Sequence, residues 1–150
     1  MRQINRASVL LLTLVVSAVV LALDPIYTPW HNNLAIRGYD PVAYFEVNQA
    51  VEGHEEFSYD WQGARWRFAN ANHRQAFIDN PTAYAPQYGG YCAFAVADNK
   101  TASIEPEQFT IVDGKLYLNY NKKIQQQWLE QRSKLIQKAD ANWPALLTDD

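Results

Sequence analysis

Residues 109–118, FTIVDGKLYL, place an Asp-Gly pair between two apolar runs. This pair is a strong short-range signal for a β-hairpin, because both residues tolerate the positive φ angles of a two-residue turn. The sequence therefore predicts strands over 109–112 and 116–118, joined by a turn at Asp113-Gly114. This hairpin, together with an earlier one of similar pattern, decides the fold class.

The earlier hairpin is predicted from two aromatic arms, residues 57–59 and 65–68, on either side of a turn region that contains Gly63. Asn70 is a suitable cap for a helix over 71–79, which ends before Pro81. Asn121 precedes a second predicted helix over 122–139. The residues on one face of this helix are Ile124, Trp128, Leu129, Arg132 by its stem, Leu135, Ile136 and Ala139. We predict an α+β fold of two β-hairpin plus helix units packed around one aromatic core.

The two units can be aligned with each other, which favours an internal duplication over about residues 38–84 and 88–140. Internal periods near 50 residues usually indicate a repeated supersecondary unit. The identities are few, so chance similarity is the alternative. An offset of 49 pairs Tyr39 with Tyr88 and Phe45 with Phe94, and an offset of 51 pairs Gly63 with Gly114, Trp66 with Tyr117 and Phe77 with Trp128.

Composition excludes several classes of protein. With 150 residues, 48% apolar, the chain can form one domain or two small units that share a core, but not a disordered or coiled-coil chain. A net charge of −3 without a block of basic residues gives no electrostatic footprint for nucleic acid. The single cysteine excludes an internal disulfide framework and a zinc site of several thiolates.

The N-terminal residues have the layout of an export signal. Arg2 and Arg6 precede an uncharged run over 7–23, and small residues favour cleavage after Ala22. We expect residues 1–22 to be a signal peptide, with an uncleaved N-terminal anchor as the alternative. Residues 23–150 are then an exported domain, periplasmic or secreted, and membrane-bound only if the segment is uncleaved. Without Arg2 and Arg6, 11 basic residues stand against 16 acidic ones, a net charge of −5.

Several motifs resemble the YHS domain family. They are GYDPVAYF at 38–45, FSY at 57–59, WRF at 66–68 and NPTAY at 80–84. The later YGGYCA at 88–93 resembles an exported bacterial subgroup, some members of which carry selenocysteine where Cys92 stands. The resemblance covers about residues 27–143 and implies a treble-clef-related fold. YHS domains occur beside copper-transporting ATPases and in multicomponent monooxygenases, so the resemblance also implies a soft metal, copper.

The three cysteine positions of the family pattern fall here on Ala43, Ala69 and His73. The offset of 49 puts Cys92 on the Ala43 position of the second unit. The two remaining positions there fall near Tyr120 and Ile124, neither of which is a ligand. A tetrahedral site of thiolates is therefore excluded in either unit of a monomer.

Cys92 is the first candidate for a functional residue. A lone thiol in an exported protein points to reactivity or intermolecular pairing, and Gly89-Gly90 brings backbone N–H groups near it. Our first hypothesis is a binding module that docks on a partner protein or holds copper, with Cys92 as thiolate ligand and His73 as candidate second ligand.

The alternative is a single-cysteine redox enzyme or peroxide scavenger. Cys92 would be its catalytic nucleophile, and an external thiol, from a redox partner, would resolve the product. A buried, purely structural thiol is the third option. Hydrolase, kinase and nucleotide-binding motifs are missing from the sequence. Asp40 and Asp113 are predicted to be turn carboxylates.

Overall fold

Two antiparallel hairpins and six α-helices form the computed structural model, which describes residues 14–16 and 22–148. The predicted α+β class is confirmed. The predicted signal segment, residues 1–22, lies outside the described residues except for 14–16 and 22. Within the described ranges, no helix combines the length and the apolar character that crossing a bilayer requires.

The same order of elements occurs twice along the chain. Each unit begins with a 3₁₀ turn and a short helix, continues with a hairpin and then a longer helix. The first unit consists of the turn Ala35–Gly38, α1 (Ala43–Glu46), β1 (His54–Trp61), β2 (Ala64–Phe68) and α2 (Ala71–Asp79), followed by α3 (Pro81–Tyr84). The second consists of the turn Gln87–Gly90, α4 (Ala93–Ala97), β3 (Phe109–Val112), β4 (Lys115–Leu118) and α5 (Lys122–Glu130), followed by α6 (Arg132–Thr148).

Side-chain caps begin the long helix of each unit. The Asn70 side-chain oxygen accepts the backbone N–H of His73 at 2.8 Å, and the Asn121 oxygen accepts that of Ile124 at 2.9 Å. Each cap satisfies one of the donors that the first turn of a helix leaves free. The predicted cap at Asn70 and the predicted bounds of α2, 71–79, are confirmed.

The hairpin and helix of each unit pack with the same geometry at an offset of 51. In the first unit the rings of Trp66 and Phe77 lie 4.9 Å apart at 33°. In the second the rings of Tyr117 and Trp128 lie 5.3 Å apart at 36°. All four residues are buried. One large aromatic pair therefore fixes each helix against its hairpin.

The opening turns correspond at an offset of 52, so the offset of 49 predicted for this region is wrong. Both Ala35–Gly38 and Gln87–Gly90 contain left-handed residues. After each turn, the N–H of the next residue donates to a carbonyl inside the turn at 3.0 Å: Tyr39 to Ile36 in the first unit, and Tyr91 to Tyr88 in the second. The register is set by backbone conformation, which the aromatic matches at 49 do not reflect. Cys92 consequently corresponds to Asp40.

The predicted single helix over 122–139 is wrong, because the chain bends at Gln131. Gln131 has φ −131° and ψ 24°, so α5 ends at Glu130 and α6 runs on to Thr148. The bend lays α6 against α4, and Trp128 and Ala139 are both fully buried in one cluster. Burial of these two apolar surfaces favours the bend over a straight helix.

The core differs from the single aromatic core that we predict, because it consists of two clusters. The first surrounds Phe77 and includes Cys92, and the second surrounds Trp128. Tyr27 and Phe94 pack against both clusters. The first cluster spans both units, since it also contains Leu116 and Leu118 of β4, whereas Tyr117 between them belongs to the second cluster.

Two tyrosines of the first unit bind the second unit. The Tyr44 hydroxyl donates to the carbonyl of Pro106 at 2.8 Å, and its ring lies 4.7 Å from that of Phe109. The Tyr39 hydroxyl donates to Glu107 at 3.1 Å. The turn before β3 is thus fixed to the first unit, which holds the two units together.

Alanine substitutions at two turn glycines, Gly89 and Gly114, test the packing around the turns. Both have positive φ, +62° at Gly89 and +72° at Gly114, but a Cβ at Gly89 would lie 1.9 Å from the Pro25 carbonyl oxygen, whereas one at Gly114 meets nothing within 4 Å. We expect Gly114→Ala to cost about 1 kcal/mol of unfolding free energy from strain alone. Gly89→Ala should cost at least about 3 kcal/mol, since overpacking adds to the strain. Urea denaturation followed by tryptophan fluorescence measures both, and equal costs would contradict the packing at Gly89.

Candidate functional site

A buried carboxylate organises the first unit. Asp40 is fully buried, and its Oδ1 accepts the backbone N–H groups of Val42 at 2.8 Å and Ala43 at 3.3 Å. Its Oδ2 accepts the N–H of Ala69 at 2.9 Å and lies 2.5 Å from His73 Nδ1. One side chain therefore joins α1, the end of β2 and α2, and a buried charge is kept by a full set of donors.

His73 is oriented by this contact. With Nδ1–H donated to the carboxylate, the neutral ring presents Nε2 as its remaining nitrogen. The side chain is 18% exposed, so it lies at the edge of the first unit rather than in its core. Carboxylates commonly orient metal-binding histidines in this way, and they also hold histidines for purely structural reasons.

Cys92 lies inside the second unit. It is 1% exposed, its N–H donates to Ala102 O at 3.0 Å, and its Sγ contacts Asn119 Oδ1 at 3.6 Å. Burial raises the pKa of the thiol. The backbone N–H groups of Ala95, Tyr120 and Phe94 oppose that shift of the pKa, and burial has the larger effect. The neutral thiol is consequently the favoured form.

Cys92 and Asp40 occupy equivalent places and face equivalent groups. The N–H groups that meet the Asp40 carboxylate belong to Val42, Ala43 and Ala69, and those that lower the pKa of Cys92 belong to Phe94, Ala95 and Tyr120, of which Phe94 donates to Asn119 Oδ1 at 3.3 Å. These donors match one another at the offsets of 51 and 52 described above. The sulfur thus fills a site whose counterpart is built around a carboxylate.

The residue beside the buried group also differs between the units: it is polar in the first and apolar in the second. His73 corresponds to Ile124, since each follows its capping asparagine by three residues. The first unit therefore combines Asp40 with His73, whereas the second combines Cys92 with Ile124. Where the imidazole donor is replaced by an alkyl group, a carboxylate would lack one partner, and a thiol is the better occupant.

The structure gives the two predicted site residues separate partners. Cys92 contacts Asn119 in the second unit, and His73 contacts Asp40 in the first. In the described part of the chain, no group of three or more His, Cys, Asp and Glu side chains is placed to hold a metal ion. A two-ligand site of Cys92 and His73 stays a prediction.

Asp40 is the residue whose role sequence reasoning missed. The turn carboxylate predicted at Asp40 does accept the local N–H groups of Val42 and Ala43, but its full burial is not part of that prediction. Its partner His73 lies 33 residues further along the chain. The usable signal is the apolar run directly after Asp40, which is unusual around a solvated turn.

A wide cleft of the described residues borders neither Cys92 nor His73. It has a volume of about 500 Å³ and lies between the segment around Pro86 and α6. Trp61, Tyr88 and Trp143 are among its walls, and Tyr88 donates its hydroxyl to Asp140 at 2.8 Å. Open space for a ligand is thus separate from the two residues that the sequence singles out.

Comparisons of the chain with protein-family models, with curated proteins and with solved structures find no significant match. The resemblance to YHS domains therefore stays a prediction that rests on the motifs quoted above. The geometry of the site is therefore the basis for the proposed function.

The equivalence of the two sites is testable by a double-mutant cycle. We expect Cys92→Asp to cost about 3 kcal/mol or more of unfolding free energy, because Ile124 offers the buried carboxylate no donor. In the background of Ile124→His, the same change should cost about 1 kcal/mol less, since an Asp–His pair is restored. Chemical denaturation of the four proteins gives the coupling energy. Strictly additive costs would show that the sites are not equivalent.

Proposed function

We propose that this chain is an exported, YHS-like accessory protein that acts as a binding module and not as a thiol-dependent enzyme. The burial of Cys92 carries the proposal: the side chain is 1% exposed, and burial raises its pKa. Thiol catalysis needs an accessible thiolate, which is formed at sites of the opposite character, partly exposed and electropositive.

Under this proposal Cys92 stabilises the second unit. Its backbone N–H and its sulfur join the turn before α4 to Ala102 and to Asn119. Recognition then uses the outer surface, and a partner protein is the ligand that this arrangement favours. The copper version requires Cys92 to lose its proton and to reach a second ligand such as His73, which is held by Asp40.

One observation favours the redox alternative. Three backbone N–H groups, from Phe94, Ala95 and Tyr120, act on the sulfur and would stabilise negative charge on it. In a peroxidase-like cycle the Cys92 thiolate would attack one oxygen of hydrogen peroxide and break the O–O bond, which leaves a sulfenic acid and hydroxide; the hydroxide takes up the proton that the thiol lost, and an external thiol then reduces the sulfenic acid. That reaction requires peroxide to enter the core.

The deciding experiment compares the wild-type protein with Cys92→Ala and Cys92→Ser after anaerobic purification. Copper(I) is titrated against a competing chelator, and the thiol is exposed to hydrogen peroxide and to a thiol reagent. The binding module without a metal predicts no copper bound and thiol modification only at the rate of unfolding. Tight copper binding lost in both variants would establish the metal version, and rapid sulfenate formation in the folded protein would establish the enzyme.

The buried thiol also predicts a pH dependence of stability. Because the pKa of Cys92 is raised in the folded protein, the unfolded chain loses this proton first. Stability should therefore fall as the pH rises above the model-peptide pKa of about 8.5, by at most about 1.4 kcal/mol per pH unit. Cys92→Ala should remove this slope between pH 8 and 9.5. The tyrosines whose pKa burial raises, Tyr91 among them, begin to lower stability only as the pH nears their unfolded pKa of about 10, and they do so equally in both proteins. An unchanged slope in Cys92→Ala would contradict the raised pKa.

A further inference from the structure

A cleft rich in hydrogen-bond donors lies where the chain before the first unit runs beside β2. It has a volume of about 410 Å³ and is lined by Asn32, Asn33, Leu34, Arg65 and Arg67. The Arg65 N–H donates to the Asn33 carbonyl at 2.8 Å, and a parallel bridge pairs Leu34 with Arg65. Backbone hydrogen bonds thus hold the two walls of the cleft together.

The two arginines of the cleft differ in their electrostatic state. Arg65 donates Nε–H and Nη2–H to the two oxygens of Asp60, at 2.9 and 3.2 Å, so its charge is paired. Arg67 forms no ion pair with any residue that the structure describes. Its guanidinium is charged at every relevant pH. The cleft therefore carries one positive charge that the described residues leave unpaired.

The Arg67 guanidinium is the second observation that points to a ligand. Its Nε is buried and meets no acceptor among the described residues. A Cβ at Gly53 would lie 2.6 Å from the Arg67 Cβ, so the segment at Gly53 passes directly over the base of this side chain. The base is thus held in place, and the Nη groups, which are not among the buried unpartnered atoms, are the donors open to a ligand.

The other polar groups of the cleft match a negatively charged ligand. The Asn32 side-chain oxygen accepts the N–H of Leu34 at 3.0 Å, so its Nδ2 group is the part left to donate. None of the lining residues carries a carboxylate, although the chain has 16 acidic residues against 13 basic ones. The cleft thus offers donors and positive charge in a chain that is acidic as a whole.

We propose that this cleft binds an oxyanion, a carboxylate or a phosphate-type group, with Arg67 as its principal contact. The two Nη groups of a guanidinium form a planar fork that fits two oxygens of such a group. The inference deepens the proposed function, on which its biological meaning rests, by giving the binding module an anionic group to recognise. The anion itself is either free in solution or part of an acidic partner.

The test observes the arginine Nε–H resonances of the full ¹⁵N-labelled protein by NMR during titration. Inorganic phosphate and acetate are added at constant ionic strength, with chloride as the balancing salt. We expect a saturable shift of the Arg67 Nε–H signal. Tighter binding of phosphate identifies a free or phosphorylated anion as the source, and tighter binding of acetate identifies the carboxylate of a partner.

Matched variants separate a specific site from general screening. Binding by the variants is followed at the Arg65 Nε–H, which lines the same cleft and is present in all of them. Arg67→Met should weaken binding at least about tenfold, and Arg132→Met, on α6, should leave it unchanged. Arg67→Lys keeps the charge and the stem but loses the planar fork, so it should weaken binding at least about threefold even if Arg67→Met fails to fold.

Three outcomes would overturn the proposal: a shift that never saturates, equal weakening by Arg67→Met and Arg132→Met, or undiminished binding by Arg67→Lys. None of them bears on the chemistry of Cys92, so the binding module and its anion site can fail separately.

Discussion

The buried carboxylate of Asp40 is the interaction on which the first unit depends. A charge in a protein interior is tolerated only when donors surround it, and here the donors come from three separate parts of the unit. The carboxylate therefore acts as a fixed point: α1, the end of β2 and α2 must approach together for it to be satisfied. The left-handed turn at Ala35–Gly38 lies two residues before Asp40 and sets the direction in which the chain carries the Asp40 side chain.

The second unit reaches the same arrangement with much less charge. Cys92 takes the place of Asp40, and Ile124 takes the place of His73, so a carboxylate bonded to an imidazole is exchanged for a thiol beside an alkyl group. The backbone donors around the site are retained. This pairing accounts for the burial of the lone cysteine. An origin by duplication accounts for the matching positions, and it stays a proposal.

Local signals in the sequence predicted a large part of this fold. The Asp-Gly turn, the aromatic arms of the first hairpin and the cap at Asn70 each act within a few residues, and all are confirmed. The bend at Gln131 was not predictable, because no glycine or proline marks it and packing of α6 against α4 produces it. The register of 52 was missed for a similar reason, since Ile36 and Arg37 adopt left-handed conformations that their residue types disfavour.

The candidate sites were hard to predict for the same reason, because the contacts that decide their chemistry are distant in sequence. A cysteine and a histidine attract notice in a sequence, but their chemistry depends on neighbours that are far along the chain. Asp40 holds His73, and Asn119 lies against Cys92, so both residues have internal contacts. Arg67 attracts no notice in the sequence, because an arginine in an alternating strand is expected to face solvent and to find a partner there. Its buried, unpartnered Nε–H distinguishes it from Arg65, two residues away. Groups satisfied within the fold have little capacity left for ligands, so recognition by this protein is best sought at charges that the fold leaves unsatisfied.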